Sequence, residues 1–422
     1  MYTINAQWQF AVAPPETIFP IMNKTEISSL KKQINQIAPE AAELRRAIHR
    51  NPELSEKEFE TAGLIYNTLR SWGLAPKYHL DKTAVSLRVD NGKGPSIVLR
   101  ADTDALPVQE ENDLPFASVK PGIMHACGHD MHIAILLGAA KILTGIKDKW
   151  KGTVHFLFQP SEEKEPGGAV RLIKAGVFPT KADAVFGLHV SSEHKCGHIG
   201  IKEGSDYAGV LNFDVTVMGR GGHGATPEKA VDPITCAASM ITQLQTLISR
   251  EKPSSEPAVL TVGYLRAGTG RNIIPDTAEF KGTARTYSNA LQNQLMKRIK
   301  ESTAAIAAAF GASVKVSFDK SYPPGYNNPE LAKRFKKAAE SFFGQSRVIE
   351  RKAPTMYAED FAYYQQLIPG LYIYLGSIPS GKKTMEELHS SRFLPDEKAM
   401  ETGIAAHVLF ILMQNAEIIM QK

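Results

Sequence analysis

The sequence predicts an α/β fold built as a discontinuous larger domain with a smaller one inserted into it, and three observations carry that reading. Strand-like and helix-like segments alternate from residue 26 to 204. Over 205–320 the order changes to strand, helix, strand, strand, helix, strand, which is the ferredoxin-like split unit. The first pattern then resumes over 321–422. A chain of 422 residues is also long for one domain of about 100–200 residues.

Taken in order, Ile27, Leu30, Ile34, Ile37, Leu44 and Ile48 recur at helical spacing and predict a helix over 26–48. A second is expected over 56–72, stopped at Gly73. Residues 84–89 and 96–100 read as strands, with Asn91-Gly92 between them as a hairpin turn. A strongly apolar helix follows at 131–144, then a strand at 153–158, a short helix at 168–175 and a strand at 184–189. In the insert, 210–218, 258–265, 277–286 and 312–318 read as strands, and 233–249 and 291–310 as helices. Beyond Pro323-Pro324, helices are expected at 329–343, 360–367 and 396–418, with a strand at 371–375. Residues 1–25 contain Pro14, Pro15 and Pro20 and read as a loosely ordered arm. They lack the basic start and apolar run of a secretory signal.

Composition excludes several classes of function. Hydrophobic residues at 43% and charged residues at 22% describe a globular protein, not a disordered chain or a disulfide scaffold. The net charge of +5 is spread over the chain without a dense basic run, which argues against nucleic-acid binding. The absence of an apolar run of ~18 residues argues against a membrane span. Cys127, Cys196 and Cys236 are odd in number and widely spaced, so a reducing, cytoplasmic setting is expected.

Four segments carry candidate chemistry. In His125-Ala126-Cys127-Gly128-His129-Asp130, thiolate and imidazole at C-x-H spacing can face one site at a helix N-terminus. Alone, this spacing more often marks a small buried cysteine beside an unrelated histidine than a metal site. Glu162 and Glu163 follow a strand at its carboxyl end, where ligand sites of open α/β sheets gather. They are either a solvated turn, or a metal ligand and a base that takes a proton from water. His189 closes an apolar strand and alone reads as a hydrogen-bonded core residue; His389 lies in a polar loop and alone says little. Together, Cys127, His129, Glu162, Glu163, His189 and His389 offer S, N and O donors suited to Zn²⁺, Mn²⁺ or Ni²⁺. That is too many ligands for one tetrahedral ion, so two divalent ions with a bridging ligand are expected. Asp102 and Asp104 follow another apolar strand. A carboxylate there can orient a ligand histidine from behind, or can form a turn before Pro107.

At this point the residues show a resemblance. Segments 99–107 (LRADTDALP), 125–130 (HACGHD), 158–163 (FQPSEE), 187–190 (GLHV), 219–227 (GRGGHGATP), 272–276 (NIIPD), 358–361 (AEDF) and 388–393 (LHSSRF) occur in order across residues 27 to 420. In these the chain resembles the metal-dependent amidohydrolase/aminoacylase family, which also contains dinuclear-metal carboxypeptidases. Within it, the branch of N-acyl-amino-acid amidohydrolases, hippurate hydrolases and indole-acetyl-amino-acid hydrolases is the most similar. The resemblance implies a dinuclear-metallopeptidase-like catalytic domain over 26–204 and 321–422, and a lid and dimerisation domain over 205–320. It implies Cys127, His129, Glu163, His189 and His389 as metal ligands, with the Cys127 sulfur bridging. Glu162 would be the general base and then the acid that protonates the leaving amine. His223 would polarise the scissile carbonyl from the partner subunit of a homodimer, Asn272 would meet the substrate, and Asp104 would stand behind a ligand. The implied reaction is hydrolysis of small N-acyl amino acids; a dipeptidase, carboxypeptidase or dedicated N-acetyl deacetylase is the alternative on the same site. Two departures stand out. Ser161 replaces the alanine commoner before the paired glutamates, a small change expected to leave the chemistry intact. Ala-Thr-Pro-Glu-Lys follows Gly224, where many relatives carry another histidine after the proline.

Overall fold

The structure, a computed structural model, describes residues 22–420. Its first part runs α1 (Lys24–Arg50), α2 (Phe59–Ser71), β1 (Lys77–His79), β2 (Ala84–Asn91), β3 (Ser96–Asp102), α3 (His129–Gly145), β4 (Gly152–Gln159), α4 (Gly168–Lys174), β5 (Ala184–Lys195), β6 (Ile199–Ile201) and β7 (Gly204–Tyr207). There follow β8 (Gly209–Met218), β9 (Gly222–His223), α5 (Pro233–Thr246), β10 (Ala258–Ala267), β11 (Ile273–Ile274), β12 (Thr277–Thr286), α6 (Asn289–Ala309) and β13 (Ser313–Lys320). The chain ends in β14 (Gly325–Asn327), α7 (Pro329–Phe343), β15 (Val348–Glu350), α8 (Ala362–Gln365), β16 (Gly370–Ile378) and α9 (Ala399–Met420).

Helix α1 begins slightly earlier than periodicity alone predicts because Asn23 caps it. Asn23 Oδ1 accepts from the Glu26 backbone N–H, and Glu26 returns the bond to the Asn23 N–H. Of the expected arm, residues 22–25 thus form the cap and first turn, and 1–21 lie outside the described residues.

The large sheet has the order β1-β2-β4-β3-β5-β16-β6-β15. This corrects the hairpin expected at Asn91-Gly92. Strand β4 lies between β2, to which it is antiparallel, and β3, to which it is parallel. The reason is steric and hydrophobic. Strand β3 is buried at nearly every position and needs a partner on each edge and cover on both faces. The glycines serve the crossing instead: a Cβ on Gly94 would stand 2.7 Å from the backbone of Lys151 and Gly152. Strand β5 also continues past His189 to Lys195, pairing in parallel with β16 over most of its length, so His189 lies within a strand and not at its end. Helix α3 is buried on almost every side and packs with α1, α9 and the sheet. Phe186 in β5 stacks on Phe410 of α9, which ties the outer helix layer to the central strands.

Strands β8, β10, β12 and β13 make a second, antiparallel sheet in the order β10-β12-β8-β13. With α5 and α6 on one face, this is the ferredoxin-like order. Its core is separate from that of the large sheet, built on Leu211, Phe213, Val215 and Val217 of β8 against Met240 and Leu244 of α5. The alternate residues of the strands face away from these helices. Two short ribbons escaped the sequence, because pairs of two or three residues carry no periodicity: β7 with β14, and β9 with β11.

Candidate metal centre and active site

The carboxyl ends of β3 and β4, the middle of β5 and the first turn of α3 converge on one cluster. Gly128 caps α3 in the left-handed conformation at φ 82°. A Cβ there would stand 2.4 Å from Val190 Cγ2. This glycine lets the chain turn between Cys127 and His129 against β5, so that both side chains reach the cluster. Cys127 Sγ lies 3.3 Å from His189 Nε2.

The donor atoms fall into overlapping sets. Those of Cys127, His129 and His189 lie within 4.8 Å of one another, as do those of Cys127, Glu163 and His389, and those of His129, Glu162 and Glu163. Cys127 is common to the first two sets, and His129 to the first and third. His129 Nδ1 faces the Asp104 carbonyl at 2.8 Å and His189 Nδ1 faces the Val190 carbonyl at 2.7 Å. Both rings therefore present Nε2 to the cluster. His389, at φ 67°, anchors its backbone N–H on the Ala126 carbonyl and places Nε2 3.2 Å from Glu163 Oε1.

These groups fit divalent cations. The fully buried His129 Nε2 has no hydrogen-bond partner, and Glu163 Oε1 makes no well-formed hydrogen bond despite the nearby His389. Burial pushes His189 down to about 3, with the neighbouring histidines adding to the effect, so its ring is neutral and free to donate a lone pair. Burial pushes the Cys127 thiol up, and Glu163 and Glu162 push it further. Burial and the neighbouring carboxylates of Glu359 and Glu163 likewise hold the Glu162 carboxyl well above its usual range. A buried cluster this rich in acids is electrostatically short of positive charge.

Asp104 stands behind this cluster. Its two oxygens accept from the backbone N–H groups of Glu162 at 3.0 Å and Glu163 at 2.9 Å. Ser55 Oγ donates to it at 2.6 Å, and Oδ1 lies 3.3 Å from His129 Nδ1. Sequence reasoning offered Asp102 and Asp104 together as carboxylates behind a ligand, settled on Asp104, and missed His132. Asp102 Oδ1 meets His132 Nδ1 at 2.6 Å, and the Val190 N–H donates to His132 Nε2 at 2.9 Å, which places the ring proton on Nδ1. The signals were present: Arg100 and Asp102 share one strand face, and His132 follows His129 at i+3 on α3. Glu359 and Asp360, quoted in a motif but given no function, both bind Arg100 Nη2, at 2.9 and 2.7 Å.

The cluster opens into a cavity of about 650 Å³. One wall carries Cys127, Glu162, His189 and His389, and the helix-free face of the second sheet contributes Val259, Thr261, Thr283 and Arg285. His223 and Asn272 are not in this lining. They sit together on the β9–β11 ribbon, where the Gly224 N–H donates to the Asn272 carbonyl and the exposed His223 accepts the Ala225 N–H on Nδ1. The fold of one chain thus gathers the candidate ligands, Glu162 and Asp104, and leaves His223 and Asn272 apart.

Comparison with known proteins agrees with this architecture. The family model described as peptidase family M20/M25/M40 matches residues 98–413, and the chain belongs to that family. It is 36% identical over 390 residues to thermostable carboxypeptidase 2 of Saccharolobus solfataricus, covering 92% of this chain and 98% of that protein. It is 40% identical over 310 residues to the N-acyl-L-amino acid amidohydrolase of Geobacillus stearothermophilus, covering 73% of this chain and 83% of that one. Among solved structures it resembles the YXEP protein of Bacillus subtilis, described as a dinuclear metal binding peptidase from the M20 family. The TM-score is 0.79 at 32% identity, over 90% of this chain and 99% of that chain. Among the described residues, no helix is long and apolar enough to cross a membrane.

The Gly128 turn gives a direct test. Gly128→Ala meets both a left-handed φ and the Val190 side chain, so it should cost about 1–3 kcal/mol. This is read as a lower midpoint in denaturant unfolding, together with weakened Zn²⁺ retention.

Proposed function

We propose that this protein hydrolyses the amide bond of small N-acyl amino acids, releasing a carboxylic acid and the free amino acid. The observation that carries the reading is the Cys127 sulfur, shared by two ligand sets with the Glu162 carboxyl beside them. Cys127, His129, Glu163, His189 and His389 would hold two divalent ions, with Zn²⁺, Mn²⁺ and Ni²⁺ as the candidates. Bound there, the ions would supply Lewis acidity, bringing the pKa of water toward ~7 and polarising the scissile carbonyl.

The chain's own residues do the rest. Glu162 is buried among Glu163, Glu359 and Asp360, surroundings that raise its affinity for a proton. It takes the proton from the attacking water and returns it to the leaving amine. Asp104 fixes the backbone on which Glu162 and Glu163 ride. The face of the second sheet closes the cavity and limits access of bulk water.

A second reading, release of a C-terminal amino acid from a short peptide, is favoured by the likeness to a carboxypeptidase. Both reactions cut an amide beside an amino acid with a free carboxylate, so they differ only in what fills the acyl side. Hydrolysis of N-acetyl, N-benzoyl and indole-acetyl amino acids beside dipeptides separates them. Turnover should disappear on chelation, return with added metal, and fall at least ~1000-fold in Glu162→Gln. Metal-restored turnover that survives Glu162→Gln would overturn the assignment of the base.

We further propose a homodimer through the 205–320 domain in a cytoplasmic setting, with His223 and Asn272 completing the site of a second copy. Support comes from their position outside their own cavity and from the exposed Tyr264, Leu265 and Ile273 on the β10 edge and the β11 ribbon. Glu162→Gln and His223→Ala should each be nearly inactive. Mixed after dissociation and reassociation, they should regain a sizeable fraction of activity, because one site in each heterodimer is intact. Recovery no greater than the sum of the separate variants would contradict the shared site.

A further inference from the structure

Ser161 was the one departure in the glutamate motif, and the structure gives its hydroxyl specific work. Its Oγ accepts the Glu56 backbone N–H at 2.8 Å, an interaction that alanine cannot make. The Ser161 N–H donates to Glu58 Oε1 at 2.7 Å, and the hydroxyl can donate to the same oxygen at 3.3 Å. The Ser161 carbonyl accepts from Gly168 at the start of α4. Ser161 and Glu56 are both non-glycine residues in the left-handed region, at φ 59° and 68°. Such conformations persist only where the surroundings hold them. Here two left-handed turns face each other, joined inside by the Ser161 hydroxyl and at the surface by Lys164 and Arg171 on the Glu56 carboxylate, with Arg171 Nη1 also 3.5 Å from Ser161 Oγ. Ser161 and Glu58 are buried, so their mutual bonds are shielded from water, while the bond to the exposed Glu56 lies at the edge of the enclosed region. Burial and the charge of Asp104 push the Glu58 carboxyl up to about 8, which keeps it neutral beneath Asp104 near pH 7.

The next two residues along are Glu162 and Glu163. Asp104 grips their N–H groups from one side, and the Ser161 clasp fixes the residue before them from the other. We propose that Ser161, backed by Glu58, is a positioning residue: its hydroxyl latches the turn before α2 onto the glutamate turn and sets where Glu162 and Glu163 point. In its catalytic consequence, the inference rests on the hydrolysis proposed above.

The test uses the metal-loaded full chain carrying Ser161→Ala or Ser161→Gly. Alanine removes only the hydroxyl, whereas glycine removes the hydroxyl and also relieves the left-handed strain. Three quantities are read: kcat and KM, Zn²⁺ affinity by chelator competition, and amide hydrogen exchange over 160–164. The latch predicts that both variants lose kcat by ~10-fold or more with KM within ~threefold of wild type. Exchange over 160–164 should speed up by ~tenfold while the rest of the chain is unchanged. Wild-type kcat in both variants, or wild-type kcat in Ser161→Gly alone, would overturn the proposal, since backbone strain rather than the hydroxyl would then be at issue. Lower kcat without faster exchange would also overturn it. If the wild type turns over no acyl amino acid or peptide, the functional reading fails. The exchange and Zn²⁺ affinity still decide the latch: faster exchange with weaker Zn²⁺ binding supports it, and wild-type values for either overturn it.

Discussion

One buried carboxylate, that of Asp104, fixes the relation among the parts of this site. It is fully enclosed, so its charge must be met by donors. Burial pushes its pKa up, but hydrogen bonds from His129, Ser55 and the Glu163 backbone outweigh this and hold it below the usual range. Each of those donors comes from a different place: the first turn of α3, the turn before α2, and the turn after β4. Satisfying one charge therefore aligns three segments that are distant in sequence.

Behind it lies a second charged layer that fixes the opposite wall. Arg100 is completely buried and meets Asp102, Glu359 and Asp360, with Nε on Gln159. One cation among three acids leaves the layer short of positive charge, and burial with the neighbouring Glu359 holds the Asp360 carboxyl up despite Arg100. Asp102 passes this order outward to His132 and the Val190 backbone, one residue from His189. The candidate donors on α3 and β5 are thus braced by side chains that do not themselves belong to the donor sets around Cys127.

Much of this was legible from residue spacing. Long periodic helices such as α1 and α7, and the split unit of the second sheet, follow from patterns of 3.6 and 2 that their own burial enforces, and α3 from its length and apolar composition. The ligand candidates were legible because Cys, His and Glu have few structural uses together, although His189 stands inside β5 and not at the strand end that the sequence suggested. Strand order was not legible. Asn91-Gly92 has the chemistry of a hairpin, but the burial of β3 on both faces demanded β4 as a neighbour, a non-local constraint. The role of Arg100 with Glu359 and Asp360 was hidden because the partners are separated by over half the chain. Ser161 read as a neutral replacement for alanine because its partners, Glu56 and Glu58, lie on another element.

The central claim is that Asp104 organises the metal centre by accepting the Glu162 and Glu163 amides while facing His129. Asp104→Asn tests it most directly, because the new amide sets a donor where the site needs only acceptors, with almost no change in volume. Zn²⁺ affinity should be measured by competition with a chromogenic chelator, beside circular dichroism to confirm the fold. The account predicts a folded protein whose Zn²⁺ affinity is about 10–100-fold weaker. A folded Asp104→Asn protein that holds Zn²⁺ as tightly as wild type would contradict it.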